Sequence, residues 1–292
     1  MRDLPAAVRT KAPPTWLEAL PALVAGIAGD WGLTIGDAFG DATEAYVVAV
    51  EPAAVLKVHL TQRAAFEEAT VLGRAAGCAR LLRSDLSRNA LLIERLGPPM
   101  SEMSIDQPRR LEILCDLASS MWVPAPAVDL PDGATKAAAL AAGITRRWEA
   151  LGRPCSRAAV EQALSAAASR ARNGGSAVLC HGDVHQWNAL WSGSGYKLID
   201  PDGVRAEPEL DLGALMREDP VELMTGDPYD RARLLADRTG TDATAIWEWG
   251  LADRVATGLV LLAAGVEPVA SEMLAAADHI AGQGSSTSTG RR

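Results

Sequence analysis

The sequence predicts an α+β chain built as two lobes, a small β-rich N-terminal one and a mainly helical C-terminal one. Two observations carry this. Residues Ala45 to Val50, Ala53 to Leu60 and Ala90 to Leu96 are short β-branched and aliphatic runs flanked by turn residues, as strands are. After Gly97-Pro98-Pro99 the patterning turns helical almost to the end of the chain. At 292 residues and 48% hydrophobic composition, there is enough apolar material for one large domain or two lobes. The boundary is set at the Gly-Pro-Pro break, giving an N-lobe over 1–97 and a C-lobe over 98–282. The polar, low-complexity stretch from Gly284 to Gly290 makes 283–292 an expected disordered tail.

The elements follow in order. Thr15-Trp16-Leu17-Glu18 has the capping-box form, and Leu20, Leu23, Val24 and Ile27 then recur at helical spacing up to Gly32. Glu51-Pro52 separates the first two strands and reads as a hairpin turn. A helix is expected from Gln62 to Ala76, with Phe66, Ala69, Val71 and Leu72 on its apolar face and Gly77 as its stop. Beyond residue 97, helices are expected near 106–121, 135–150, 156–173, 209–217, 229–237, 243–264 and 268–281. Two strand-like runs, Ala177 to Cys180 and Tyr196 to Ile199, interrupt them.

Charge narrows the partners. With 28 basic against 37 acidic residues the net charge is -9, and no long Lys/Arg run is present. Nucleic acid and anionic membrane are therefore poor ligands, and a cationic small molecule is a better one. Met1-Arg2-Asp3-Leu4-Pro5 does not open a signal peptide, so a cytoplasmic protein is expected, as a monomer or weak dimer. The apolar run Val255 to Val266 is too short to span a bilayer and reads as a buried helix. Cys78, Cys115, Cys155 and Cys180 are far apart, with no C-x-x-C pair, and read as small core residues.

The chemistry concentrates in Cys180-His181-Gly182-Asp183-Val184-His185-Gln186-Trp187-Asn188 and in Ile199-Asp200-Pro201-Asp202-Gly203. An aspartate, an asparagine five residues on and a second aspartate at a strand end form the spacing that phosphoryl transfer from ATP uses. Asp183 would take or orient the proton of an attacking hydroxyl, while Asn188 and Asp200 offer the hard oxygens that magnesium prefers. A plain turn with a helix cap accounts for one such spacing but not for all three together. Lys57, in the apolar strand Val55-Leu56-Lys57-Val58, needs a counter-charge and could hold the α and β phosphates. Glu68 or Glu67 on the next helix can supply that charge; an edge lysine that reaches to solvent is the plainer explanation.

Weaker signals surround these. The Gly36–Thr43 loop, with Gly40, could cover phosphates through backbone N–H groups, although it lacks the G-x-G-x-x-G pattern and an ordinary turn explains it nearly as well. Glu94 and Leu96 end the third strand where an adenine could pair with the backbone. His181-x-Asp183-x-His185 admits a competing metal-hydrolase reading, though only His59 and His279 remain to complete a nitrogen-ligand set. Asp211 could brace the catalytic loop. Trp247, Glu248, Trp249 and Asp253 suit either a cationic ligand or, more simply, a buried tryptophan cluster.

Taken together, Val55-Leu56-Lys57, Glu68-Ala69 with Leu72, Ala90 to Leu96, the His181–Asn188 motif and Ile199 to Gly203 with Glu209-Leu210-Asp211-Leu212 resemble the aminoglycoside phosphotransferases. Within that superfamily they look most like the streptomycin 6-kinase and hydroxyurea phosphotransferase branch. The resemblance implies a bilobal protein-kinase-like fold, ATP with Mg2+, and transfer of the γ-phosphoryl group to a small-molecule hydroxyl. It implies Asp183 as catalytic aspartate, Asn188 and Asp200 as magnesium ligands, Lys57 as phosphate lysine and Glu68 as its partner. Gln186-Trp187 stands where relatives usually have Pro-Gly, and Asp202 where this branch often has lysine. The few residues between Pro201 and Glu209 leave no room for the platform that binds a peptide. The expected substrate is an aminoglycoside such as streptomycin, and the alternatives are hydroxyurea or a metabolite alcohol or sugar. From other classes, a non-catalytic nucleotide-binding module and the metal hydrolase remain as rivals.

Overall fold

The computed structural model describes residues 4–40 and 42–287. Helices α1 (Ala6–Lys11) and α2 (Pro14–Trp31) precede a sheet of β1 (Thr34–Ala38), β2 (Ala45–Glu51), β3 (Ala54–His59), β4 (Leu81–Asp85) and β5 (Ala90–Glu94). The strands are antiparallel in the order β1-β2-β3-β5-β4, and α3 (Gln62–Leu72) crosses between β3 and β4.

The central strand β3 is buried along its whole length, and its two-residue period decides what each face carries. Leu56 and Val58 pack with Tyr46 and Val48 beneath Leu20 and Ile27 of α2. Val55 points the other way, into a core that continues through Val71, Leu72 and Ile93 to Leu114, Leu179 and Leu198 of the helical half. Lys57 shares that second face, which turns it toward the junction of the two halves.

Several local expectations shift. Thr15 does not cap α2; Pro13 takes the cap position and Pro14 the first turn, where the missing N–H costs nothing. Gly32 does end that helix, at a left-handed φ of 66°. Helix α3 stops at Leu72, capped by Gly73, short of the Gly77 stop, because the turn through Arg74 and Ala75 already closes on Val71. Edge strands β1 and β4 were not foreseen. They are largely exposed and polar, so they lack the apolar alternation that marks a strand.

The second half contains α4 (Gln107–Met121), α5 (Gly133–Ala150), α6 (Arg157–Asn173), α7 (Glu209–Leu215), α8 (Tyr229–Thr239), α9 (Ala243–Ala263) and α10 (Val269–Thr287). Two short ribbons interrupt them, β6 (Val178–Cys180) with β9 (Val204–Ala206) and β7 (Ala189–Trp191) with β8 (Tyr196–Leu198). Buried α9 is the hub against which α5, α6, α7 and α10 pack. Its approach to α7 depends on paired glycines. A Cβ at Gly213 would lie 2.3 Å from Trp249 Cβ, and one at Gly250 would lie 2.5 Å from Met216 Cβ.

The architecture is thus bilobal α+β, as expected. Of the stretch expected as a tail, α10 includes the part through Thr287, and residues 288–292 lie outside those described. All four cysteines are buried and free. Among the described residues, no helix is long and apolar enough to cross a membrane.

Candidate active site

The site forms where β3 and α3 meet the loops that follow β6 and β8. Lys57 Nζ lies 2.7 Å from both carboxylate oxygens of Glu68 and 2.6 Å from Asp200 Oδ1. Burial by itself would push the ammonium's pKa down, but the charges of Asp200 and Glu68 outweigh it and hold the pKa above the usual lysine value. Glu68 is 3% exposed. Burial would raise its pKa, yet Lys57 and then His59, whose Nε2 is 2.9 Å away, bring it down to about 2. Glu67, the alternative partner, turns instead to Arg63 at 2.5 Å. Asp200 differs from the buried pair in that 52% of its side chain is exposed. It sits at φ 59°, a left-handed conformation that aspartate tolerates better than most side chains.

Backbone pairing sets the other motif residues. Ala189 pairs with Leu198, and Ile199 N–H donates to Asn188 O at 2.9 Å, so Asn188 and Asp200 leave adjacent strand ends together. His181 is fully buried, which lowers its pKa. Its Nδ1 accepts the Asp183 N–H at 3.2 Å, so Nε2 carries the proton and donates to Ile199 O at 3.0 Å. Gly182, at φ 86°, is required as glycine because a Cβ there would fall 2.9 Å from Asp202 Cβ. Asp211 accepts the N–H groups of His181 (3.1 Å) and Gly182 (2.8 Å) and Trp122 Nε1–H (3.1 Å), which fixes the loop from below.

Asp183 occupies the centre of this arrangement. Arg217 donates to its Oδ1, while His185 Nε2 (3.2 Å) and Asn188 Nδ2 (3.3 Å) meet its Oδ2. Burial works to raise the Asp183 pKa, but the Arg217 charge and the His185 hydrogen bond hold it well below the ordinary carboxylate range. Arg217 is itself buried and also donates to Asp253 (2.5 Å) and Thr257 (3.3 Å). Across the loop, Lys136 of α5 bonds Asp202 at 2.6 Å.

Asn188 and Asp200 fit a magnesium ion. With its Nδ2 committed to Asp183, Asn188 has its amide oxygen left to offer, next to a half-exposed carboxylate. The nitrogen-ligand alternative does not assemble. His181 and His185 are both engaged in the loop, and among the described residues no group of three His, Cys, Asp or Glu side chains converges on a point.

The chain matches the profile of the aminoglycoside/hydroxyurea antibiotic resistance kinases over residues 43–265. It belongs to that family. Streptomycin 6-kinase of Streptomyces glaucescens is 30% identical over 206 residues, which cover 68% of this chain and 66% of that protein. Among solved structures, aminoglycoside phosphotransferase APH(4)-Ia aligns with a TM-score of 0.60 at 15% identity, over 91% of this chain and 99% of that one. Choline kinase LicA from Streptococcus pneumoniae aligns with a TM-score of 0.58 at 13% identity, over the same shares.

Against this family background, the expected site residues fall into two groups. Lys57 contacts Glu68 and Asp200, Asn188 contacts Asp183, and the two sets adjoin where Ile199 N–H bonds Asn188 O. Glu94 and Leu96 lie apart, at the end of β5 and just beyond it. Arg95 N–H is bonded to Ala53 O and Gly97 N–H to Trp191 O, whereas Leu96 N–H between them has no hydrogen-bond partner among the described residues. The Glu94 side chain serves as a strut, accepting from Arg80 N at 2.8 Å and from Lys197 of β8. Around Gly40 nothing demands a glycine, since a Cβ there would meet no atom within 4 Å. The loop expected over Gly36–Thr43 is also shorter, because β1 continues to Ala38; Asp41 lies outside the described residues.

Sequence reasoning missed Arg217, Lys136 and the role of Asp253. A signal for Arg217 exists, for Arg217-Glu218-Asp219 directly follows the buried run Glu209 to Met216. Of the late-helix cluster, Trp249 is buried and bonds Glu207 at 2.7 Å, in keeping with the core reading, while Asp253 faces the site.

Proposed function

We propose that this chain transfers the γ-phosphoryl group of ATP to a hydroxyl of a cationic small molecule, an aminoglycoside such as streptomycin, and so inactivates it in the cytoplasm. The observation that carries the reading is Lys57 bonded at once to Glu68 and to the exposed carboxylate of Asp200, with Asp183 held ionised nearby. In this reading Lys57 takes the α and β phosphates, and Glu68 aims it. The hinge backbone at Glu94 and Leu96 meets the adenine. Magnesium on Asn188 and Asp200 neutralises charge on the β and γ phosphates when bound. The acceptor hydroxyl oxygen forms its bond to the γ phosphorus as the bond to the β-phosphate oxygen breaks, and the hydroxyl proton passes to Asp183. Arg217 keeps Asp183 anionic and oriented until then. Kinship with a streptomycin 6-kinase supports the acceptor class.

An ADP-release assay against streptomycin, kanamycin, hydroxyurea and simple amino alcohols tests this. Streptomycin turnover is expected in the wild type, and a drop of about 10²- to 10⁴-fold in Asp183→Ala with Mg·ATP binding retained. Full activity in Asp183→Ala would remove it as the base. Mg·ATP binding with no acceptor turned over would favour the non-catalytic nucleotide module.

A further inference from the structure

A cavity of about 380 Å³ lies beside the catalytic loop. Arg217, which holds Asp183, forms part of its wall, so a ligand seated there lies one side chain from that carboxylate. Trp187 of the loop, Glu218, Glu222 and Glu272 of α10 supply other walls. Glu218, Asp219, Glu222 and Glu272 bring four carboxylates to a lining that is otherwise largely apolar, and its guanidinium is already committed to Asp183 and Asp253.

Two features of the cavity are unexplained by folding. Glu218 is 3% exposed, and its Oε2 has no hydrogen-bond partner among the described residues. Leaving a buried carboxylate oxygen unmatched is costly, and a ligand that completes it is a physical reason for keeping it. Trp187 is 48% exposed although it is the bulkiest kind of side chain, and it meets His185 at 5.7 Å between ring centroids. An indole open to solvent at the rim of an apolar cavity that also holds carboxylates has the makings of a cation platform.

We infer that this cavity is the acceptor's cation subsite, where a planar guanidinium stacks on Trp187 and is neutralised by Glu218, so that these two residues favour guanidinium-bearing over ammonium-bearing acceptors. The inference rests on the phosphotransferase reading above. A guanidinium is flat, delocalised and weakly hydrated, so it can stack on an indole and present paired donors to one carboxylate; an ammonium is compact and strongly hydrated. Hydroxyurea, being neutral, brings no charge to match Glu218. His185 links the subsite to the base, since its Nδ1 accepts Trp187 N–H and its Nε2 meets Asp183 Oδ2, both at 3.2 Å. The platform and the base are therefore held by one ring.

Steady-state kinetics and calorimetry on the full chain test this with streptomycin, which carries two guanidinium groups, and kanamycin, which carries only amines. Trp187→Ala and the near-isosteric Glu218→Gln are each expected to raise the streptomycin KM about tenfold, the scale of a partly desolvated cation–π or charged contact, with kcat and the ATP KM little changed. Trp187→Phe should recover part of the loss, and kanamycin should bind more weakly than streptomycin to the wild type. An unchanged streptomycin KM in both variants of an active enzyme overturns the subsite alone. If the wild type phosphorylates no acceptor, the phosphotransferase reading fails separately. Calorimetry then decides the subsite: streptomycin binding lost in the variants upholds it, and binding kept in them overturns it.

Discussion

Lys57 Nζ and Asp200 Oδ1 lie 2.6 Å apart although 143 residues separate them in the chain. Their contact joins the sheet half to the helical half at the candidate site, and Glu94 with Lys197 makes a second tie between β5 and β8. Since Glu68 holds Lys57 from the other side, the lysine is oriented before any nucleotide arrives. Preorganisation of this kind removes a reorganisation cost from the reaction.

Lys57→Met should therefore lower kcat/KM for ATP by at least about 100-fold, the scale on which a preorganised electrostatic contact acts. It should also lower the thermal midpoint, because Glu68 would keep only His59 as a partner in its buried position. Nucleotide titration and thermal unfolding of the same variant check both parts. An unchanged ATP KM and kcat would count against Lys57 as the phosphate contact.

Glu68 gives the protein an acid-sensitive contribution to stability. Its folded pKa, about 2, lies below the ordinary glutamate value of 4.5, so the unfolded chain takes up the proton first. The stabilisation is present above the unfolded value and is lost as pH falls through the folded one; it amounts to about 3 kcal/mol. Urea unfolding of wild type and Glu68→Gln between about pH 6 and pH 3 should show the wild type losing stability more steeply, so that the gap between them narrows. Parallel curves would show that Lys57 does not hold the carboxyl down.

Asp211 satisfies three donors from a fully buried position. Asp211→Ala strands the amides of His181 and Gly182 and should cost about 3 kcal/mol, with a lowered thermal midpoint. Activity should fall further than the loss of folded protein explains, because the loop bearing Asp183 loses its brace. Asp211→Asn, which keeps an acceptor oxygen, should recover part of both; recovery of neither would point to a role for the charge itself.

What could be read in advance follows physical locality. Asp183, Asn188 and Asp200 share short stretches of loop and strand, so their relation is a fixed spacing that survives in one dimension. Lys57 stood out because a charge inside Val55-Leu56-Lys57-Val58 conflicts with its apolar surroundings. Strands β1 and β4 were invisible because edge strands bury too little to impose a pattern. Gly77 misled for a related reason: a glycine marks where a helix can stop, while the turn after Leu72 marks where it does.

The sequence by itself determined the two-lobed α+β plan, the run of helices after Gly97 and the oxygen-bearing residues of the two motifs, since periodicity and spacing are properties of neighbours along the chain. Only the tertiary structure decided that Glu68 rather than Glu67 takes Lys57, that Arg217 and Asp253 govern Asp183, and that Trp187 and Glu218 face one cavity. These relations join residues on different elements. They arise when helices and loops remote in sequence bury their apolar faces together, and the charges at the edges of those faces are left to find one another.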